Sequence, residues 1–289
     1  MKAFLKNILV FTLLLACFNI ALLILIQNIY VNDYYTVQLN YKEYLLADSH
    51  GYNAGDLRET NGIYNLSETG DSYIDLERKL RFLIRNSSVE KIYLTVDDHT
   101  LSPSREDFNN KEISVFYTNS EDYSNYLTFI NKKYLNRYVV FFNSKYSSVI
   151  RHFFKNKFTS FTSENKEPIP WSDLSKTEKK AKSKQRFETY FSEKEGSETL
   201  TESLIRMIQL CKENNIELIG IKFPVSSSYN QILGTQSYDA DKIFRKNELD
   251  ILDFKKSLLK NDTFFRDQDH LSNAGEIKFK SLLLKMQNK

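Results

Sequence analysis

The sequence is poor in cysteine, glycine and proline, and each shortage excludes a class of protein. Its 289 residues include only 2 cysteines, Cys17 and Cys211, which are too few for a disulfide framework or a cysteine-rich zinc site. With 8 glycines and 4 prolines, the chain also lacks the turn residues of a many-stranded all-β sandwich. The 4 histidines are dispersed without metal-ligand spacing, so the sequence predicts no metal site and no cofactor.

A large excess of charge of one sign is also missing. The chain has 40 basic and 37 acidic side chains, which leaves a formal net charge of +3. A nucleic-acid-binding surface needs basic residues massed on one face, so we expect no nucleic acid as a partner. Hydrophobic residues make up 41% of the chain and aromatic residues 14%, enough to form a core and to exclude global disorder.

The N-terminal segment differs from the rest of the chain. Ile8–Ile26 is almost continuously apolar, and about twenty such residues are needed to cross the hydrocarbon core of a bilayer. Lys2 and Lys6 precede this run, and the positive-inside rule keeps such an end in the cytoplasm. We therefore expect residues 1–32 to be a single-pass anchor in the cytoplasmic membrane, with residues 33–289 on its extracytoplasmic side.

Two alternatives to an uncleaved anchor exist. A cleavable signal peptide has a shorter apolar region that ends in small residues. Leu14–Cys17 also resembles a bacterial lipoprotein cleavage box, although the apolar run continues through Phe18–Ile26. Asn19 is the one amide side chain within the apolar stretch, and a polar group of this kind is unfavourable in a membrane span.

Beyond the anchor, short β-type runs alternate with helical patterns. Five runs predict strands: Tyr44–Ala47, Ile63–Leu66, Lys91–Val96, Glu217–Phe223 and Leu249–Phe254. Apolar residues at helical spacing predict helices around Leu76–Ile84 and Leu200–Cys211, and a last helix that ends near Met286. Capping boxes are expected at Thr199 with Glu202 and at Asn273 with Glu276. Strands that alternate with helices indicate an α/β fold, a parallel sheet covered on both faces.

The alternation breaks over about residues 100–197, which we interpret as an insertion. Asp122–Asn131 and Lys145–Phe158 look helical and are rich in tyrosine and phenylalanine. Thr159–Gly196 is polar and charged, and we expect a mobile, lid-like segment there, because a long irregular loop in a compact domain is functional or disordered. Its basic run, Lys176–Lys184, is typical of a solvated face.

Two short segments carry residues suited to chemistry. Asp48 and Ser49 follow the first predicted strand, and Asp267-x-x-His270 precedes the last helix. A serine hydroxyl becomes a nucleophile when a neighbouring base takes its proton. An imidazole suits that task, and a carboxylate fixes its tautomer. Ser49, His270 and Asp267 supply that set if the sheet brings them together. His50 lies beside the nucleophile and is expected to contact substrate.

Asp48-Ser49 and Asp267-x-x-His270, in this order, resemble the SGNH (GDSL-type) hydrolase superfamily. The resemblance implies a three-layer, flavodoxin-like fold with a central parallel sheet of five strands. Asn61–Gly70 is similar to the family's second block, which makes Gly70 the matching oxyanion donor beside the backbone N–H of Ser49. The third block normally supplies an asparagine as a further donor. This chain has Thr95–Thr100 there, without an asparagine, and His99 is the substitute we consider.

The resemblance implies a serine esterase or O-acyl (acetyl) transferase that acts on acylated carbohydrates of the cell envelope. A second hypothesis is a non-catalytic accessory protein, which would bind a polymer or assist a membrane-bound acyltransferase. The absent asparagine and the tether motivate it. A third is a lipid-acting esterase beside the bilayer, suggested by the aromatic residues of the insertion. The sequence does not distinguish hydrolysis from transfer.

Overall fold

The fold was analysed in a computed structural model, which describes residues 1–160 and 169–287. These residues divide into two compact units. The first comprises Met1–Val37 and Glu112–Lys166, and the second comprises Gln38–Lys111 and Glu167–Lys289. The predicted boundaries at residues 32, 100 and 197 stay a prediction.

The strands are β1 Glu43–Leu46, β2 Ile63–Asn65, β3 Lys91–Thr95, β4 Glu217–Lys222 and β5 Ile251–Asp253. The helices are α1 Lys2–Ile26, α2 Asn32–Tyr35, α3 Ser49–Tyr52, α4 Arg58–Asn61, α5 Tyr73–Asn86, α6 Ser104–Asp107, α7 Tyr126–Ile130, α8 Asn136–Tyr138, α9 Ser144–Ser160, α10 Lys176–Tyr190, α11 Glu198–Glu213, α12 Ser227–Leu233, α13 Ala240–Lys246 and α14 Asn273–Gln287.

The second unit is built on a five-stranded sheet in which every pairing is parallel. The strand order is β2-β1-β3-β4-β5, which is the flavodoxin-like order. In such a sheet the chain reverses its winding direction beside β1, and ligands bind in the crevice beyond the carboxyl ends of the strands there. This topology confirms the predicted fold and places the end of β1 at the expected site.

Alternation along the strands sends side chains to two cores. Leu45, Tyr93 and Ile221 belong to one buried cluster, which includes Phe279 and Leu283 of α14. Helices α5 and α11 pack on each other and contact β1 and β4. Leu76, Leu80 and Leu83 of α5 are buried, as are Leu200, Leu204, Ile208 and Cys211 of α11, so the predicted helix faces are the buried ones.

The two predicted capping boxes lie two residues and one residue too late. Helix α11 begins at Glu198, and its cap is Ser197, whose side chain accepts the N–H of Leu200 at 3.0 Å. At α14 the Ser272 hydroxyl accepts the N–H of Gly275 at 3.2 Å. In each case a serine earlier in the chain takes the cap, because a serine oxygen satisfies a first-turn N–H as well as the predicted residue does.

The predicted lid is wrong over most of its described part. Lys176–Tyr190 forms α10, which begins with a capping box of Ser175 and Glu178, and Trp171 before it is buried. Segment 161–168 of the predicted lid lies outside the described residues. Apolar periodicity did not reveal this helix, because its buried face includes the polar side chains of Lys179 and Ser183.

In the first unit, α1 continues through a π-helical turn, Gln27–Val31, into α2. Among the described residues, Lys2–Tyr35 is the one helical stretch long and apolar enough to cross a membrane, and its most apolar window is wholly unburied. The insertion part of this unit is helical, as predicted: α7 starts later than expected, at Tyr126, and α9 covers the predicted Lys145–Phe158.

Candidate active site

The chain turns from β1 directly into the short helix α3. Asp48 caps it, since its Oδ1 accepts the N–H of His50 at 3.0 Å, and Ser49 is the first helical residue. Gly51 is needed for space rather than for conformational freedom. A Cβ there would lie 2.4 Å from the Ser67 Oγ and 2.5 Å from the Ala47 Cβ. The turn therefore packs tightly and fixes the backbone that carries Ser49.

The predicted trio comes together at this turn. Ser49 Oγ lies 2.8 Å from His270 Nε2 although the two residues are 221 positions apart. His270 Nδ1 lies 2.9 Å from both oxygens of Asp267. Asp267 Oδ1 also accepts the backbone N–H of His270 at 2.9 Å, which holds the loop before α14 in shape. Hydroxyl, imidazole and carboxylate thus form one continuous hydrogen-bonded chain.

A second imidazole lies behind the first. His50 Nδ1 is 2.7 Å from Asp97 Oδ2, and His50 Nε2 is 3.5 Å from Asp269 Oδ2. Asp269 Oδ1 in turn lies 3.4 Å from His270 Nδ1. The rings of His50 and His270 meet edge to face with centroids 5.3 Å apart. His50 and its two carboxylates therefore back the imidazole that faces Ser49.

Asp48 is the centre of another buried group. Its Oδ2 lies 3.0 Å from Arg105 and 3.1 Å from His99 Nε2. The His99 ring stacks on Tyr190, with centroids 4.4 Å apart. Because Asp48 lies two residues after β1, these contacts tie the turn that carries Ser49 to α6 and α10.

Two of the predicted site residues, His99 and His50, meet surroundings that differ from those expected. His99 Nε2 faces Asp48, so this nitrogen is not directed at the Ser49 hydroxyl. His50 is 3% exposed, and the cavity that it lines with His99, Phe223 and Tyr229 measures about 10 Å³. That is the space of one water, so His50 faces no substrate-sized pocket there. Gly70 lies in the turn after β2 at φ 89°, a conformation that favours glycine.

Sequence reasoning missed two residues that α10 brings to this site. Arg186 Nε lies 3.1 Å from Asp269 Oδ2, at ion-pair distance but without hydrogen-bond alignment. Tyr190 stacks on His99. A signal existed: Lys179, Ser183, Arg186 and Tyr190 recur at steps of four, three and four, the spacing of one helix face. The face is polar, so a search for apolar residues passes over it.

The histidines that are dispersed in sequence converge in space. The ligand atoms of Asp48, His50 and His99 lie within 4.8 Å of one another, and so do those of His50, Asp269 and His270. Their distance in the sequence therefore did not show that three of the four histidines lie close together, and the expectation of no metal site stays a prediction. Asp48 and Asp269 are each already paired with a guanidinium, at 3.0 and 3.1 Å. These arginines supply the positive charge that buried carboxylates require.

The paired charges shift the ionisation of the cluster. Burial alone raises the pKa of Asp48, but the charges of Arg105, His50 and His99 outweigh it and hold that pKa well below its usual range. Burial lowers the pKa of His50, yet the carboxylates of Asp48, Asp97 and Asp269 raise it well above 6.5. Asp269 has a lowered pKa as well, because its contacts with His50, His270 and Arg186 exceed the effect of burial. His50 thus lies between carboxylates on both ring nitrogens, and these favour its protonated form.

This state of His50 predicts a loss of stability at alkaline pH. A raised folded-state pKa gives stability that is complete below the unfolded pKa of about 6.5 and is lost as pH rises through the folded value. We expect the melting temperature of the wild type to fall more steeply than that of His50→Gln as the pH rises from about 6 to about 10. Parallel profiles for the two proteins would show that His50 carries no extra proton.

No protein-family model matches the sequence, and no curated protein matches it. Solved structures with a similar chain course exist. One is a putative acylhydrolase from Bacteroides fragilis, with 11% identity, TM-score 0.44, and coverage of 90% of this chain and 95% of that one. Another is a GDSL-like lipase from Bacteroides thetaiotaomicron, with 8% identity, TM-score 0.43, and coverage of 89% and 94%. At such low identities and TM-scores, the similarity carries no argument about this chain.

The fold is therefore assigned from features of this chain alone. Its sheet has the order β2-β1-β3-β4-β5, its serine follows β1, and its Asp-x-x-His segment enters the last helix. The chain has a parallel α/β fold with the flavodoxin-like strand order, and a long apolar helix lies at its N-terminus.

Proposed function

We propose that this protein is a membrane-tethered serine ester hydrolase or O-acyltransferase. The observation that carries the proposal is the chain of hydrogen bonds from Ser49 through His270 to Asp267, at 2.8 and 2.9 Å. The three residues come from two segments far apart in sequence, and they meet at the carboxyl end of β1, where this topology binds ligands. A serine that served only as a helix cap would have no need of an imidazole backed by a carboxylate.

The geometry suits acyl transfer in two steps. Ser49 Oγ attacks the ester carbonyl carbon while its proton passes to His270 Nε2, and a tetrahedral intermediate forms. As the carbonyl re-forms, the bond to the alcohol oxygen breaks and His270 returns its proton to that oxygen. The acyl group remains on Ser49. A water or a sugar hydroxyl then attacks the acyl-enzyme, with His270 again as the base, and Ser49 is regenerated.

The developing negative charge needs donors fixed in advance. The Ser49 N–H begins α3, and the first N–H groups of a helix lack intrahelical acceptors. We assign it as one oxyanion donor and the N–H of Gly70 as the second. His99 stays a third candidate through the nitrogen that does not face Asp48. Loss of one such donor typically lowers the rate by on the order of a hundredfold or more.

The buried cluster around His50 serves to position and polarise the base. Two carboxylates face His270 Nδ1, Asp267 at 2.9 Å and Asp269 at 3.4 Å. Both favour an imidazolium as the proton arrives at Nε2. His50 and Arg186 hold the Asp269 carboxylate in place with positive charge. Asp269 therefore stays ionised and does not accept the proton itself.

The substrate class follows from the resemblance of the sequence to SGNH hydrolases. Acyl esters on carbohydrates of the cell envelope fit a catalytic unit joined to a single membrane span. The positive charges of Lys2 and Lys6 before the span support an extracytoplasmic position of the site, by the positive-inside rule.

A serine-directed fluorophosphonate tests the proposal on the full chain. We expect the probe to label the wild type on Ser49, because His270 activates that hydroxyl, and to leave Ser49→Ala unlabelled. Peptide mapping of the labelled protein identifies the modified residue. Folded wild type that stays unlabelled would contradict the proposal and favour the accessory protein, which would bind a polymer or a membrane-bound acyltransferase without chemistry at Ser49.

A further inference from the structure

Asn19 is the one amide side chain in the apolar run of α1, and both ends of its amide are used. Its Nδ2 donates to the backbone oxygen of Tyr138 at 2.7 Å, and its Oδ1 accepts the backbone N–H of Val140 at 2.9 Å. A span residue in the N-terminal helix thus binds main chain of the insertion. Both partners belong to the first compact unit.

The two hydrogen bonds of Asn19 matter most in a lipid environment. In water, an unpaired backbone carbonyl or N–H forms hydrogen bonds with solvent, so no side chain is needed as its partner. In hydrocarbon no solvent partner exists, so every backbone polar group must be satisfied within the protein. Asn19 likewise needs partners there, because an unpaired amide in an apolar medium is costly. The Asn19 amide and the backbone groups of Tyr138 and Val140 satisfy each other's hydrogen bonds.

The position along α1 places this contact at bilayer depth. Ile24 follows Asn19 by five residues, roughly 7–8 Å further along the helix axis. It is 58% exposed, and Ile29 beyond it is also exposed. Apolar side chains that point outward past Asn19 indicate that lipid extends beyond the level at which Asn19 holds the insertion.

The segment held by Asn19 is itself apolar. Residues 138–142 read Tyr-Val-Val-Phe-Phe without interruption. Val140 faces inward, while Phe141 is 57% and Phe142 is 59% exposed. The Phe141 ring stacks with Phe18 of α1, with centroids 6.3 Å apart. Two adjacent exposed phenylalanines beside a membrane span form a surface suited to acyl chains rather than to water.

Residues next to this segment have the chemistry of a membrane interface. The Arg137 guanidinium lies over the Tyr35 and Tyr138 rings, 4.6 and 5.3 Å from their centroids. Arg137 and these tyrosines line a cavity of about 260 Å³. Its other walls are apolar residues at the end of α1, residues of the following π-helical turn, which include the polar Gln27 and Asn28, and Tyr146 of α9. Tyrosines and a cation above an apolar segment are typical of the headgroup level.

We infer that residues 138–142 are embedded in the lipid bilayer beside α1, in the leaflet at its C-terminal end. The inference takes α1 as the membrane span. The insertion is then a second membrane-embedded element, and Asn19 fixes its depth. The occupant of the exposed Phe141–Phe142 surface is bilayer lipid.

The test uses tryptophan fluorescence of the full chain in lipid nanodiscs. Phe142→Trp adds one indole to Trp171, which is buried and serves as the shielded background. Ile20→Trp, on an exposed position of α1 beside Asn19, is the matched depth control. We expect lipids brominated along the acyl chains to quench the added tryptophan in both variants, with the same preferred bromine position, and aqueous acrylamide to quench neither.

Two other results would overturn the inference. Quenching of Phe142→Trp by acrylamide, with Ile20→Trp quenched by bromolipid, would place the segment in water. Shielding of Phe142→Trp from both quenchers would place protein on it, such as a second copy of the chain. Adding Asn19→Leu to Phe142→Trp is expected to reduce bromolipid quenching at least twofold. Unchanged quenching would show that Asn19 does not hold the segment at depth.

Discussion

Replacing Ser49 with alanine is expected to lower kcat for p-nitrophenyl acetate by on the order of 10⁴-fold or more, to the background of the assay. The hydroxyl at 2.8 Å from His270 Nε2 is the atom that would form the acyl-enzyme. Without it, the imidazole has no nucleophile to deprotonate, and only weak catalysis by the surrounding dipoles remains. Initial rates of the purified full chain, wild type beside variant, give the measurement.

Ser192→Ala is the matched control for that experiment. Ser192 is exposed and belongs to the same compact unit as Ser49, so its loss removes one hydroxyl without touching the site. We expect its rate to equal that of the wild type. Equal rates in wild type and Ser49→Ala would remove Ser49 as the nucleophile and, with it, the proposed reaction.

Replacing Arg105 with methionine is expected to have the largest effect on stability. Arg105 and Asp48 are both buried, and their charges are 3.0 Å apart. Removing one partner of a buried ion pair typically costs about 3–5 kcal/mol, because the remaining charge is left without compensation. For a chain of this size that corresponds to a fall in melting temperature of roughly 6–20 °C. Thermal unfolding of the full chain followed by circular dichroism measures it.

The double variant Asp48→Asn with Arg105→Met separates charge from packing. Asparagine still caps α3 through its side-chain oxygen, while the uncompensated charge is gone. We expect the double variant to recover most of the lost stability, since neutral groups in place of a buried pair are often tolerated. A double variant as unstable as Arg105→Met would show that the loss comes from another contact, such as the one from Arg105 to the backbone oxygen of Asp71.

The fold was predictable because its signals are local. Each of the five apolar runs became a strand within one or two residues of its predicted bounds, and β1 led into Ser49 as expected. Strand and helix periodicity is written in neighbouring residues, and parallel crossovers leave few possible strand orders. Helix α10 was missed because its inward face is polar, so the periodicity that was sought did not exist there.

The site was predictable only in part. Ser49, Asp267 and His270 were found by their order along the chain, and their geometry agrees with the predicted roles. The partners of His50 and His99 were not foreseen. Nothing in the residues around His50 indicates that Asp97, which follows β3, and Asp269, in the loop before α14, are 2.7 and 3.5 Å from its ring.

By itself the sequence determined the apolar length of α1, the alternation of strands and helices, and the candidates for the nucleophile and its base. Only the tertiary structure decided which carboxylate faces which imidazole, that Arg105 and Arg186 neutralise the buried acids, and that Asn19 binds the backbone at Tyr138 and Val140. The reason is physical. Hydrophobic periodicity depends on residues three or four apart, whereas the ionisation of a buried group depends on every charge within a few ångströms, wherever in the chain that charge originates.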